Sequence, residues 1–508
     1  MTKHTLLIFS IALGLSFLPV LYSIYKTPTG FFPTAVNQFY DANDVFTYLP
    51  NIRLGIEKQI LFSYKFYPPV LDQKVLMYLP QTLTGFALGL LNLPLPIYYQ
   101  TVVGYYLLRI LTSIFLFGAL IYLLNSLKFS QLERLVAVVI FFLVDCVLPV
   151  DFPGLFPEAS LQVASYGLDI ACMMLAVGAF VRRLDKGGGY LGTLAIALTV
   201  MTGTHPYNLV PVSLLFFVTT LLKLKGKGWC FAVGTLLTTL PATLLFCYYL
   251  CVFYFNDLLA WSALYKYLRV YLLSPTPIKL LVIYGAELGL IIAFIYSSIL
   301  KRHFLNLFLL IWLGLQLIMI YLPFIDQQRA QAKGLGVVMV LICTLALTRY
   351  VIVNTRLKAP VRIMLASAFF ILGTHGYLVS IYIPLQLPSY SGRTSLYISQ
   401  NKMAALNYLD KNKGDVGWAV LTFDRVLSQM VPAATGLAVS NGYFTPNEEA
   451  RNELIAKIFN NTATANEITG FITDDRIGYL ISSAAQPLNY SFLENIYQNR
   501  EVLIYKVT

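Results

Sequence analysis

Two aspartates near the start of the chain are the residues whose type and spacing most directly suggest chemistry. Asp41 and Asp44 lie in the segment 40–45 (YDANDV), shortly after an apolar run near residues 6–25. A carboxylate in this position can act as a general base for an acceptor hydroxyl or amine, and two carboxylates can hold a divalent cation. The structural alternative is that Asp44 only caps a short helix that begins at Val45.

Three more polar residues fall in segments that we predict to lie on the same side of a membrane as Asp44. Asp151 and Glu158 could supply a second acid if a cation is held or two protons are handled. Acids in such loops can also serve solvation alone. His205 precedes a Pro-Tyr pair and could donate to a phosphate oxygen, although a histidine in this setting is also common as an interfacial anchor.

A pair of bases stands out because the other predicted loops on that side hold few. Arg329 and Lys333 are four residues apart, which places them on one face of a helix. Together they would suit a phosphate or pyrophosphate group. The alternative is that both side chains extend along apolar surface to reach lipid headgroups.

Three ionisable residues fall inside apolar stretches, where a charge is costly and a functional role is the default expectation. These residues are Arg109, Asp169 and Glu287. The simplest interpretation predicts a structural ion pair between Arg109 and Asp169. Glu287 has no evident partner in the sequence.

The composition places the chain among polytopic membrane proteins. Of 508 residues, 57% are hydrophobic and only 12% are charged, whereas soluble domains carry about a quarter charged residues. The net charge of +12 comes mostly from bases in short loops between apolar runs. This distribution is typical of membrane topology, so we predict no nucleic-acid partner.

About eleven apolar runs approach the roughly 20 residues needed to cross a bilayer. Basic loops alternate with loops that hold acids, aromatic residues and prolines, which predicts a cytoplasmic N-terminus in the plasma (inner) membrane and an extracytoplasmic C-terminus. The candidate spans lie near residues 6–25, 98–124, 135–150, 159–181, 190–204, 207–222, 229–253, 279–299, 304–324, 335–353 and 361–383.

Two segments are too long and too polar to be simple connections. The first outer loop, about 26–97, contains Asp41 and Asp44 and a mildly amphipathic run from about 75 to 91 that suggests an interfacial helix. Residues 384–508 have the composition of a soluble domain. Strand-like runs at 418–422, 477–482 and 502–507 and a helical run at 448–459 predict a small α/β fold. The predicted fold class is therefore a membrane all-α bundle, residues 1–383, followed by an extracytoplasmic α/β domain.

This order of features resembles the GT-C-type integral-membrane glycosyltransferases, which include protein O-mannosyltransferases, aminoarabinose transferases acting on lipid A, and oligosaccharyltransferases. In the tail, the segments 403–409 (MAALNYL), 431–436 (VPAATG) and 442–445 (GYFT) look like the extracytoplasmic ends of bacterial members. The WWD-type signature of oligosaccharyltransferases is absent from the tail sequence, which argues against that subgroup.

The resemblance implies that the first-loop acid is catalytic, and this role carries over best to Asp44 with Asp41 as its partner. The family has two adjacent acids, but Ala42 and Asn43 separate them here. This spacing leaves metal use open; if a divalent cation is bound, its expected ligands are Asp41 and Asp44. The expected partners are membrane lipid and a polyprenyl-phosphate-linked sugar donor, whose phosphate would be bound by Arg329, Lys333 and His205.

We therefore predict a glycosyltransferase that moves a sugar from this donor to a glycan, lipid or protein outside the cytoplasm. A lipid-linked donor needs no nucleotide-binding domain, and the sequence contains no glycine-rich phosphate loop. One alternative is a transporter or flippase of lipid-linked sugars that uses Arg109, Asp169 and Glu287. Against it, the sequence has no inverted repeat of broken spans. A second alternative is a non-catalytic scaffold that presents the tail to partners.

Overall fold

The computed structural model describes residues 3–36, 42–144, 161, 163–186, 189–224, 229–255, 274, 276–301, 303–322, 333–354, 357–386, 396–414, 418–442 and 448–508. Helices dominate the part before residue 387, and a small sheet forms in the tail. The helices in this first part are α1 (Lys3–Tyr25), α2 (Ala42–Ile56), α3 (Leu79–Leu91), α4 (Ile97–Ser126), α5 (Gln131–Leu143), α6 (Ala164–Lys186), α7 (Leu191–Thr204), α8 (Leu209–Leu224), α9 (Trp229–Leu250), α10 (Pro277–Ile283), α11 (Gly285–Lys301), α12 (Phe304–Met319), α13 (Lys333–Ala346) and α14 (Ala359–Gln386).

The apolar helices identify an integral membrane protein. Within the described residues, six segments are long and apolar enough to cross a bilayer. They are Lys3–Tyr25, Ile97–Ser126, Ala164–Asp185, Pro206–Lys223, Phe231–Phe253 and Lys333–Ile352. Each predicted span overlaps a helix of the structure, but several of these helices are shorter than 18 residues. The count of eleven spans and the orientation of the chain therefore remain predictions.

The chain divides into two compact units, and the first contains most of the apolar helices. It comprises Met1–Leu18, Arg109–Tyr249 and Arg269–Ile383. Its core is built from large aromatic and aliphatic side chains, such as Phe180 and Phe216, whose ring centroids are 4.2 Å apart. Helix α13 is buried along its whole length, which places its few polar residues inside the unit.

The second unit comprises Pro19–Leu108, Leu250–Leu268 and Pro384–Thr508, so it contains both the first loop and the tail. Helices α2 and α3 approach each other closely at two glycines. A Cβ added to Gly85 would lie 1.8 Å from the backbone oxygen of Ile52, and one added to Gly55 would lie 1.9 Å from that of Thr82. Only residues without a Cβ allow two helix backbones to come this close.

Alanine at position 85 is therefore expected to destabilise the protein by about 1–3 kcal/mol, the usual cost of overpacking. The matched control is Gly118→Ala on α4, because an added Cβ there meets nothing within 4 Å. Glycine to alanine in a helix otherwise stabilises by about 1 kcal/mol, so the two variants should shift the thermal unfolding midpoint in opposite directions. An unchanged or raised midpoint for Gly85→Ala would show that α2 and α3 are not packed in this way.

The strands of the tail are β3 (Ala419–Thr422), β4 (Ala438–Val439), β5 (Ile477–Ser483), β6 (Leu493–Gln498) and β7 (Val502–Val507). They form a five-stranded sheet in the order β4-β3-β5-β7-β6. Strand β3 runs parallel to β4 and β5, while β7 is antiparallel to β5 and β6. The strands predicted at 418–422, 477–482 and 502–507 and the helix predicted at 448–459 are confirmed. The helices of the tail are α15 (Gln400–Asn412), α16 (Arg425–Thr435), α17 (Glu448–Phe459) and α18 (Ala465–Asp474).

A two-stranded ribbon joins the first loop to the start of the tail. Strand β1 (Phe31–Pro33) pairs antiparallel with β2 (Tyr397–Ser399). Further along the first loop, the backbone N–H of Val439 donates to the carbonyl oxygen of Lys65 at 2.8 Å. Because residues far apart in sequence are hydrogen-bonded here, the loop that carries Asp44 is part of a packed unit.

Candidate functional site

Asp44 occupies the first turn of α2 and is half-buried. The hydroxyl of Thr47 donates to the carbonyl oxygen of Asp44 at 2.7 Å, as expected within a helix. The positive end of the helix dipole favours a carboxylate at this position. Since α2 begins at Ala42, the structural alternative of a helix that begins at Val45 with Asp44 as its cap is wrong.

An aromatic cluster lies beside the start of α2, and Tyr78 is its central residue. The Tyr78 ring contacts those of Tyr48 and Phe62 edge-on, with centroids 5.8 and 5.0 Å away. Burial raises the pKa of Tyr78 well above its ordinary value, and the negative charge of Asp44 raises it further. The phenol is therefore neutral at physiological pH and can donate a hydrogen bond.

The backbone of Tyr78 also has an unusual conformation, with a φ of 53° where α3 begins. A bulky residue in the left-handed region costs about 1–3 kcal/mol, and such residues cluster at functional sites. Tyr78 was not predicted as a site residue. The only signal in the sequence was the high aromatic content of the first loop, which does not single out one tyrosine.

The far end of α2 is fixed by Arg53, which is buried within the second unit. Its guanidinium is 2.7 Å from the carboxylates of both Glu57 and Asp410, and it donates to the carbonyl oxygen of Ala433 at 3.2 Å. Gly436 has a φ of 74°, and a Cβ there would lie 2.9 Å from Arg53 Nε. These contacts to the tail fix the helix that carries Asp44.

Near this network, Lys65 is buried with 7% of its surface exposed. Burial lowers its pKa to about 8, although the nearby Glu57 raises it. Since the lysine binds protons more tightly in the unfolded chain, its destabilising effect is complete below pH 8 and fades as the pH rises toward the unfolded value near 10.5. A shift of this size corresponds to about 3 kcal/mol.

Lys65→Met is therefore expected to raise the thermal unfolding midpoint at pH 7, with an advantage that shrinks between pH 8 and 10. The exposed Lys58 is the control, because Lys58→Met should change the midpoint little at any pH. Unfolding curves at several pH values from 6 to 10 provide the measurement. A constant difference between Lys65→Met and wild type across that range would contradict a shifted lysine.

A second polar cluster lies inside the first unit around Asp169, whose side chain is fully buried. Oxygen Oδ2 of Asp169 accepts from Asn208 Nδ2 at 2.6 Å and lies 3.3 Å from Lys333 Nζ. His205 Nδ1 is 3.7 Å from the same oxygen. Three elements therefore meet at this cluster. Helix α6 contributes Asp169, the turn Pro206–Asn208 contributes Asn208, and helix α13 contributes Lys333.

Tyr166 covers this cluster with its ring. Lys333 Nζ lies 4.1 Å from the ring centroid, and the His205 ring is 5.4 Å away. An ammonium over a tyrosine face is stabilised by the ring quadrupole, so Lys333 is held by both the carboxylate and the ring.

The structure brings two of the predicted phosphate-binding residues, His205 and Lys333, to the same buried cluster. Asp44 lies in the second unit. Four other predicted site residues, Asp41, Asp151, Glu158 and Arg329, lie outside the described residues. Within the described part of the chain, no three His, Cys, Asp or Glu side chains form a group suited to a metal ion, so a bound divalent cation remains a prediction.

The predicted ion pair between Arg109 and Asp169 is wrong. Arg109 donates to the carbonyl oxygen of Leu161 at 2.5 Å and to that of Ser16 at 2.6 Å, and its guanidinium stacks on Phe17. Backbone carbonyls satisfy this arginine, while Asp169 takes Lys333 as its partner. Glu287 is buried in α11, and its role remains unassigned.

Comparisons with known proteins identify the fold. No family model and no curated protein matches the sequence, whereas solved structures match over nearly its whole length. The oligosaccharyltransferase of Archaeoglobus fulgidus, solved with Zn and sulfate, is 13% identical with a TM-score of 0.56, and the match covers 95% of this chain and 68% of that one. The same enzyme, solved with an inhibitory peptide and a dolichol-phosphate, matches at 13% identity and a TM-score of 0.50 over 93% and 69%.

The arabinofuranosyltransferase AftD from Mycobacteria is also similar, at 13% identity and a TM-score of 0.50. That match covers 98% of this chain but only 40% of AftD. The chain therefore has the fold of the GT-C glycosyltransferases, which confirms the predicted resemblance at the level of the fold.

Proposed function

We propose that this protein is a membrane glycosyltransferase that moves a sugar from a polyprenyl-phosphate carrier to an acceptor outside the cytoplasm. The observation that carries the proposal is Asp44, a half-buried carboxylate in the first turn of α2, in a chain with the GT-C fold. Fold alone does not define an activity, so the assignment depends on this residue. A similar structure that contains a dolichol-phosphate supports a lipid-linked donor.

Asp44 acts as the general base in this proposal. Its carboxylate takes the proton of an acceptor hydroxyl or amine while the acceptor attacks the anomeric carbon of the sugar. The bond between that carbon and the phosphate oxygen breaks, and its electron pair leaves with the lipid phosphate. The second acid, Asp41, either shares this role or joins Asp44 in binding a divalent cation.

The cluster around Asp169 is assigned to the lipid phosphate. Lys333 supplies a positive charge that stabilises the departing phosphate, and His205 supplies a hydrogen-bond donor. Asp169 holds Lys333 at 3.3 Å, which makes the acid a positioning residue. Arg329 is proposed as a second cation, and Asp151 or Glu158 as a second acid.

The test is sugar transfer by purified protein in nanodiscs, using a panel of radiolabelled polyprenyl-phosphate sugars with envelope glycans, lipids and proteins as acceptors. We expect release of the lipid phosphate together with labelled acceptor for at least one donor. The flippase alternative predicts the opposite pattern, in which liposomes containing the protein move the lipid-linked sugar across the bilayer and no label reaches an acceptor.

The orientation is part of the proposal. The basic loops predict that the N-terminus is cytoplasmic and the tail lies outside the plasma (inner) membrane. Single cysteines added to the exposed residues Lys26 and Lys411, on a background without native cysteines, should react with a membrane-impermeant thiol reagent in intact cells. Labelling that appears only after the cells are broken would place the tail on the wrong side for this reaction.

A further inference from the structure

Arg183 is a buried arginine that the proposed reaction does not use. It lies on α6, fourteen positions after Asp169, and the rise of a helix separates the two residues by about 21 Å. Only 6% of the Arg183 surface is exposed. Arg183 therefore lies at the opposite end of α6 from the Asp169 cluster.

The guanidinium of Arg183 is only partly satisfied by the protein. Nη2 donates a long hydrogen bond of 3.3 Å to the carbonyl oxygen of Phe231, and the Phe231 ring lies 4.4 Å away. Nε and Nη1 are buried and find no hydrogen-bond acceptor among the described residues. The nearby Asp185 pairs with Lys128 and Lys223 instead.

An arginine stays charged at any physiological pH, so within the part of the chain that the structure describes these two donors belong to a buried charge without an acceptor. Leaving such a group unpaired is strongly unfavourable. Arg183 therefore calls for an anionic acceptor that is not a side chain of the described protein.

The location of Arg183 indicates where that acceptor comes from. Three membrane segments have one terminus at the level of Arg183. The first ends at Asp185, the second ends at Lys223, and the third begins at Phe231. Apolar segments end where the hydrocarbon of the bilayer ends, so Arg183 lies at the depth of lipid headgroups. Helix α9 beside it is largely open to lipid, with Leu236 and Leu237 exposed by 70% and 63%.

We propose that Arg183 binds the phosphate of an anionic phospholipid at the junction of α6 and α9. The guanidinium presents donors that match phosphate oxygens, and the exposed leucines of α9 provide apolar surface for the acyl chains. The absence of a side chain at Gly234 makes room for the guanidinium, because a Cβ at this position would lie 2.7 Å from Nη2 of Arg183. This binding site is independent of the proposed sugar transfer.

The experiment measures the thermal unfolding midpoint of delipidated protein in maltoside micelles, a detergent without phosphate, during titration with phosphatidylglycerol. A ligand that binds only the folded state raises the midpoint with concentration. We expect a rise of several degrees for wild type and none for Arg183→Met. Lys128→Gln is the matched control, since it removes one charge from a side chain that is 78% exposed at the same end, and it should keep the full rise.

Gly234→Ala tests the site without removing the charge. The added methyl displaces the guanidinium, so this variant should also lose most of the lipid-dependent rise, which covers the case that Arg183→Met does not fold. An equal rise in wild type and both site variants, or no rise in wild type, would overturn the proposal. A rise with inorganic phosphate but none with phosphatidylglycerol would overturn the lipid as the source of the phosphate.

Discussion

The Asp44→Asn variant is expected to lose at least about a hundredfold of the sugar-transfer rate, the range typical of lost general-base catalysis. Asparagine keeps the size of the side chain and the helical fold but cannot take a proton from the acceptor. Binding of the lipid-linked donor should change little, because the assigned phosphate-binding residues are elsewhere in the chain. The loss should therefore appear in the turnover number more than in the Michaelis constant for the donor.

The matched control is Asp72→Asn in the same loop. The side chain of Asp72 is 67% exposed and pairs with Arg476, and an exposed ion pair contributes only about 0–1 kcal/mol. This variant should keep its transfer rate. Asp41→Asn separates two mechanisms: a much smaller loss than in Asp44→Asn indicates a single base, whereas an equal loss that depends on the metal ion supplied indicates a carboxylate–metal site. Full activity in both Asp41→Asn and Asp44→Asn would remove the first-loop acids from the chemistry.

Much of the fold could be predicted because local patterns determined it. The strands of the tail have β-branched and aromatic runs bounded by polar turns, and the apolar spans are recognisable by length and composition. Asp44 could be chosen as a candidate because the segment after the first span is polar and acidic, and its role stays a prediction. These are features of neighbouring residues, and neighbouring residues decide helix and strand formation.

The contacts between distant residues could not be read in the same way. The sequence offered two intramembrane charges of opposite sign, Arg109 and Asp169, and pairing them was the simplest solution. The structure satisfies Arg109 with backbone carbonyls of other segments, which carry no sequence signal. The sequence predicts Lys333 in a loop, but its side chain is only 3% exposed at the start of α13. Lys333 pairs with Asp169 because the helices pack together, which no local pattern predicts.

The close packing of α2 on α3 shows the same limit. Glycines at positions 55 and 85 are visible in the sequence, yet a glycine in an apolar helix has several explanations. Only the short distances to opposing carbonyl oxygens reveal that each one permits a backbone contact. Sequence patterns thus located the segment that carries Asp44, whereas helix α2 and its fixed position depend on contacts that no local pattern encodes.

The pair of Asp169 and Lys333 provides the second large expected effect, because both side chains are almost fully buried. Removing one partner leaves an uncompensated charge, which costs about 3–5 kcal/mol. Asp169→Asn keeps an acceptor for Asn208 but removes the counter-charge of Lys333, and Lys333→Met removes the counter-charge of the Asp169 carboxylate. Each single variant should lower the thermal unfolding midpoint clearly. The control is Lys457→Met, whose 44% exposed side chain pairs with the 73% exposed Glu453 and should contribute no more than about 1 kcal/mol.

The double variant, Asp169→Asn with Lys333→Met, distinguishes a structural role of this pair from a role in sugar transfer. It contains neither charge and keeps the hydrogen bond to Asn208, so most of the stability lost in the single variants should return. If Lys333 stabilises the departing lipid phosphate, transfer should stay low in the double variant although its stability is restored, because the positive charge is still missing. Recovery of both stability and transfer would mean that the cluster only holds α6 and α13 together, and the phosphate site would then have to be sought elsewhere.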